Sequence, residues 1–86
     1  MKKDHYDFLD RLQGNLFRPP IEMRAYFHEK KPAGVFENNG PYSYSAEVVN
    51  FCMEKKYIEI NEFKAVTITP SGQIAVDDFR DRQKGD

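Results

Sequence analysis

The side chains in this 86-residue chain whose chemistry could serve a metal or a nucleophilic reaction are few: His5, His28, Cys52, and the serines at 43, 45 and 71. Neither histidine has a second histidine or a cysteine at metal-ligand spacing, which argues against a zinc site. Cys52 shares a helical stripe with Val48, Val49 and Met53, so it reads as a small core residue rather than a nucleophile. Ser43, Ser45 and Ser71 fall at cap or turn positions, outside any G-x-S-x-G context. The chain has no P-loop, no G-x-G-x-x-G and no paired-carboxylate pattern. The expectation is a protein that is not an enzyme and needs neither cofactor nor metal.

What remains is recognition. Lys30-Lys31, Lys55-Lys56 and Lys64 would make a phosphate-contacting stripe if the fold brought them together. They are set among fourteen acidic residues, the formal net charge is −1, and no global basic field marks a nucleic-acid binder. Aromatic residues make up 14% of the chain; most must fill the core of so small a domain, while Tyr42, Tyr44 and Phe63, which fall in turns, are candidates for exposure and protein contact.

The elements that must position these groups follow from periodicity. The length suits one small domain spanning residues 1–86. A single cysteine excludes an intramolecular disulfide and fits a reducing, cytoplasmic setting. The opening "MKKDHYDFLDRL" meets Asp4, Asp7 and Asp10 before any apolar run, unlike a signal peptide, and no stretch is apolar enough to span a bilayer. Leu9, Leu12 and Leu16 form one stripe of an amphipathic helix over residues 4–17, stopped by "RPP" at residues 18–20. Over residues 20–31, Pro20, the early Glu22 and the late Lys30-Lys31 favour a second helix. The alternation of Met23, Ala25 and Phe27 leaves a strand open as the alternative. Residues 32–45 carry turn chemistry, with Asn-Gly supplying positive φ and Val35-Phe36 able to make one β-bridge. Ser43 or Ser45 caps a third helix that buries Val48, Val49, Cys52 and Met53 and ends at Lys55-Lys56. "YIEI" and "KAVTIT" then form a hairpin over residues 57–69. Within "TPSG", Thr69 is an N-cap and Pro70 the first helical residue, while Gly72 lets the last helix start hard against the strand before it.

The order helix, helix, helix, strand, strand, helix resembles a winged-helix domain of bacterial or phage regulators. Residues 43–83 carry the resemblance, through "EKKYIEI", the hairpin, and "VTITPSG" leading into a helix. It implies an α+β fold with the wing around residues 57–69, and a transcriptional regulator that binds double-stranded DNA. It also implies a homodimer joined through the first or last helix. Recognition would fall to Ser45 and Asn50, with Lys55 and Lys56 in the groove and Lys64 on the backbone; Asn pairs with adenine, and Lys reaches guanine or phosphate. Glu47 and Glu54 on the same helix would repel phosphates, and the wing turn carries Glu62. A protein-interaction module on the same scaffold, without DNA binding, is the alternative that near-neutral charge favours.

Overall fold

The computed structural model describes residues 1–84; residues 85 and 86, the end of the expected domain, lie outside the described residues. The elements are α1 (Lys3–Gln13), β1 (Met23–His28), β2 (Lys31–Glu37), β3 (Ser43–Ser45), α2 (Ala46–Glu54), β4 (Ile58–Ile60), β5 (Ala65–Ile68) and α3 (Pro70–Lys84). The five strands form one antiparallel sheet in the order β3-β2-β1-β5-β4. The α+β class stands, but the order α-α-α-β-β-α is corrected to α-β-β-β-α-β-β-α.

The correction falls on residues 20–31, which form β1 and the start of β2 rather than a helix. Met23 and Ala25 are 1% and 3% exposed, with Arg24 and Tyr26 turned outward between them. Met23 sits opposite Val66 and Ala25 opposite Val35. Burying a side chain of that size contributes about 1.5–3 kcal/mol. Favourable charges at helix ends contribute about 0.3–1 kcal/mol each. Period two therefore wins. The supposed lone bridge at Val35-Phe36 is the middle of a seven-residue strand paired on both sides.

Alternation along the sheet separates its faces. Met23, Ala25, Val35, Ile58 and Val66 point to one face, where they meet Phe8, Leu9 and Leu12 of α1. Val48, Val49 and Cys52 of α2 and Val76 of α3 complete that core. All three helices thus cover the same side. Arg24, Tyr26, Phe36, Ser43, Ser45, Glu59 and Thr67 occupy the other side and are exposed.

The last helix begins as the "TPSG" chemistry requires. Gly72 N donates to Thr69 Oγ1 at 3.1 Å, and Thr69 Oγ1 donates to Lys56 O at 2.6 Å. A Cβ on Gly72 would collide with the Tyr57 carbonyl, so close approach excludes a side chain there. β4 and β5 lie within the expected hairpin at residues 57–69. Two boundaries shift. Met53 is 37% exposed rather than part of the inner face of α2. α1 stops at Gln13 rather than at Phe17, because Gly14 takes φ 76° and donates its N–H back to Asp10 O.

Candidate interaction site

Residues 14–20 form the most unusual surface of the molecule. Past Gly14 the chain makes a tight turn in which Asn15 N donates to Arg18 O at 2.8 Å and Arg18 N returns a bond to Asn15 O at 3.3 Å. The Asn15 side-chain oxygen accepts from Phe17 N at 2.8 Å and from Arg18 N at 3.0 Å, closing an Asx turn. Arg18 reaches back to α1, donating to Asp10 Oδ2 at 2.7 Å. Asp10, 5% exposed, also accepts from Arg80 of α3 through Oδ1. Asp10 is therefore a buried carboxylate satisfied by two arginines, and it ties the turn, α1 and α3 together.

At the tip, Leu16 is 98% exposed and Phe17 is 93% exposed. Lone exposed apolar residues are ordinary, but two adjacent large ones held outward by a bonded turn are not. The backbone that presents them is already ordered in the free protein, so covering them orders two side chains but not the turn. An open cleft of ≈ 810 Å³ lies beside the turn, walled by Tyr6, Gly14, Pro20 and Arg80 together with the turn itself. Gln13 lines this cleft, and its Oε1 is buried without a hydrogen-bond partner among the described residues.

A second exposed region is the uncovered sheet face. Tyr26 and Phe36 pack edge-tilted with centroids 6.1 Å apart, and Tyr26 lies across Gly34 of the adjacent strand. Arg24 stands beside them and donates to Phe63 O at 3.1 Å. From this face the β1–β2 hairpin runs on past its neighbours, since β5 pairs with β1 at Met23 and Arg24, and β3 with β2 at residues 34–36. Its tip is Glu29-Lys30, with φ of 50° and 69°, flanked by His28 and Lys31.

The expected DNA-contacting residues do not converge on one patch. Ser45 is the N-cap of α2, where its side chain makes no capping hydrogen bond, and Lys55 is the C-cap. Ten residues of helical rise put the two about 15 Å apart. Asn50 is exposed between them, on a face shared with Glu47 and Glu54. Lys56 adjoins Thr69 at one end of the β4–β5 hairpin, whereas Lys64 closes the turn at the other. Lys64 instead neighbours β1, accepting from Ala25 N at 2.8 Å. Lys30-Lys31 stand apart from all of these, at the tip of β1–β2.

The reactive side chains are absorbed into the scaffold. Cys52 is fully buried, and burial pushes its thiol up to about 12, far from thiolate chemistry at neutral pH. His5 stacks on Phe51 with centroids 4.0 Å apart, and its Nδ1 accepts from Lys2 N at 3.1 Å. Burial lowers its pKa below the ordinary 6.5. Tyr44 OH donates to Asp7 Oδ2 at 2.8 Å, pinning β3 to α1, and burial followed by that bond raises the tyrosine pKa. For Asp7 burial pushes upward, but bonds from Tyr44 and Arg11 outweigh it and leave the carboxyl below its usual value. Arg11 pairs with Asp7 at 3.0 Å and lies over the Tyr42 ring at 3.7 Å. Among the described residues no group of three or more His, Cys, Asp or Glu could hold a metal ion, and no helix is long and apolar enough to cross a membrane.

Sequence reasoning placed Leu16 in a buried stripe and gave Phe17 no role. The available signal was Gly14 followed by Asn15 and then Pro19-Pro20, a helix C-terminus with prolines just beyond it. Compared with known proteins, the chain matches no family model, no curated protein and no solved structure.

Proposed function

We propose that this protein is an interaction module that docks onto a protein partner through the Leu16-Phe17 turn. The observation that carries the reading is the near-complete exposure of both side chains on a turn fixed by Asn15 and by the Arg18–Asp10 ion pair. Apolar anchors presented on an already ordered backbone are the kind of residue that dominates binding energy at protein interfaces. Near-zero net charge and the mixed polarity of the rest of the surface point the same way.

The test is site-specific photo-crosslinking in cells, with a benzophenone side chain introduced at position 17 and, as the comparison, at the exposed position 78 of α3. Discrete adducts at position 17 and none at position 78 are expected. Equal labelling at both positions, or none at either, overturns the reading.

A second reading, a small DNA-binding regulator, is favoured by one observation. The β1–β2 hairpin carries His28, Lys30 and Lys31 on a free two-stranded ribbon, a shape that enters a major groove. In that reading Ser45, Asn50, Lys55, Lys56 and Lys64, which share no patch with the ribbon, would make secondary contacts to DNA. Binding to a random duplex pool at low salt, weakened by Lys30→Ala with Lys31→Ala, is its expected signature; no binding at low salt removes it.

A further inference from the structure

Resting on the reading of the Leu16-Phe17 turn as a docking element, we infer that its occupant is a second copy of this chain: each copy's turn enters the cleft beside the turn of the other, forming a two-fold dimer. Knob and hole are neighbours here. The turn residues Asn15, Leu16, Phe17 and Arg18 are themselves one wall of the ≈ 810 Å³ cleft, and α1 and α3 supply the other through Tyr6 and Arg80. A two-fold axis passing beside the turn therefore seats both knobs at once, and an isologous contact of this kind closes at two chains.

Charge pairing allows the cleft to close. The two arginines of the wall, Arg18 and Arg80, are both paired with Asp10, and Arg80 also reaches Asp77 outside the wall at 3.8 Å, so closing the cleft covers paired rather than isolated charges.

Area is sufficient for a weak specific contact. Phe17 offers about 150–250 Å², and Leu16 roughly 100 Å² at the usual burial coefficient. Four such side chains and the walls they cover bury on the order of 1,000–1,400 Å², at the lower edge of specific interfaces. The dimer is accordingly of modest affinity, with a Kd on the order of 10–100 µM.

Sedimentation velocity of the full chain from about 5 to 500 µM brackets that affinity. The wild-type weight-average mass should climb toward twice the chain mass. Leu16→Ser with Phe17→Ser removes the knob, and Gln13→Glu alters the cleft alone; each should weaken association at least tenfold while circular dichroism stays unchanged. A wild-type protein that remains monomeric throughout overturns the inference, as does a Leu16→Ser, Phe17→Ser variant that dimerises as well as wild type. The crosslink at position 17 separates this failure from failure of the docking reading. A monomer whose adducts carry another protein's mass sinks the second copy alone. A monomer with no adduct at position 17 sinks both.

Discussion

Two turns of this molecule, Asn15–Arg18 and Glu29-Lys30, are built on opposite terms. The Asn15–Arg18 turn is internally bonded and anchored to a buried carboxylate, yet it exposes two apolar side chains. The Glu29-Lys30 turn exposes charged side chains, which water welcomes, yet holds two non-glycine residues at positive φ. The first has comfortable backbone and exposed apolar side chains. The second has solvated side chains and a costly backbone. A two-residue hairpin turn with both central residues at positive φ favours Asn-Gly, and each L-residue forced there costs roughly 1–2 kcal/mol. Discomfort tolerated at a tip is a sign that the tip's side chains are used. In one turn the contested quantity is side-chain solvation, and in the other it is backbone conformation.

The largest effect should come from removing the anchor of the first turn. Asp10→Ala leaves Arg80 and Arg18 without their shared acceptor and should destabilise the fold by about 2 kcal/mol, a value reduced by the partial exposure of both arginines. Urea unfolding measures this. Hydrogen exchange at the Asn15 and Arg18 amides should accelerate in the same variant beyond the global loss. Uniform acceleration across the chain would mean that the turn is held by its own Asx bonds and not by Asp10.

Next in size is the second turn. Glu29→Asn with Lys30→Gly relieves both positive-φ residues and should raise stability by about 1–2 kcal/mol. The same change removes the charge at the tip, so weaker binding of any partner there together with greater stability would identify Lys30 as retained for function. A stability gain with no functional loss would mark the tip as idle.

The two turns also differ in how readable they were. "TPSG" was legible because a cap is local chemistry: Thr69, Pro70 and Gly72 act on backbone groups within three residues of each other. Asn38-Asn39-Gly40 was likewise legible as a turn, and Asn39 takes φ 63°. The Glu29-Lys30 hairpin was hidden because its turn lacks hairpin residues, while Glu22 and Lys30-Lys31 imitate helix ends. The period-two signal that decides between the two depends on Val35 and Val66, which lie across the sheet rather than along the chain. At the first turn, Leu9, Leu12 and Leu16 fit a single stripe, and Gly14 interrupts it in the structure without breaking the spacing in the sequence. The separation of Lys55 and Lys56 from Lys64 was illegible for the same reason, since it depends on which end of a hairpin each residue occupies.

A smaller effect comes from pH and acts at the far end of α1. Burial lowers the His5 pKa below 6.5, so the unfolded chain takes up this proton before the folded one does. The contribution is complete above about pH 6.5 and is lost as pH falls through the lower folded value. The urea midpoint should therefore decline from pH 7.5 to 5, and His5→Gln should flatten that decline. Asp7 titrates below its usual 3.8, so its own loss belongs to a separate, more acidic window. Protonating His5 removes the Nδ1 lone pair that accepts from Lys2 N but leaves Asp10 untouched, so the Arg18 amide should keep its protection relative to the global value at pH 5. Loss of that protection would mean that α1 transmits strain along its length and that the turn is not independently anchored.

The smallest effect on stability should accompany the largest on binding. Leu16 and Phe17 touch so little of their own chain that Leu16→Ser with Phe17→Ser should shift the urea midpoint by no more than an equivalent of about 0.5 kcal/mol. The same pair of changes should abolish docking, because the apolar area lost is the centre of the contact. If the variant were instead destabilised by 2 kcal/mol or more, on the scale of a core truncation, the two side chains would be packing inward in solution and closing the cleft themselves. The contrast between the turns would then vanish, with both tips optimised for the free chain. A stable variant that no longer docks keeps the contrast and fixes its meaning: one tip is apolar because it is covered by a partner.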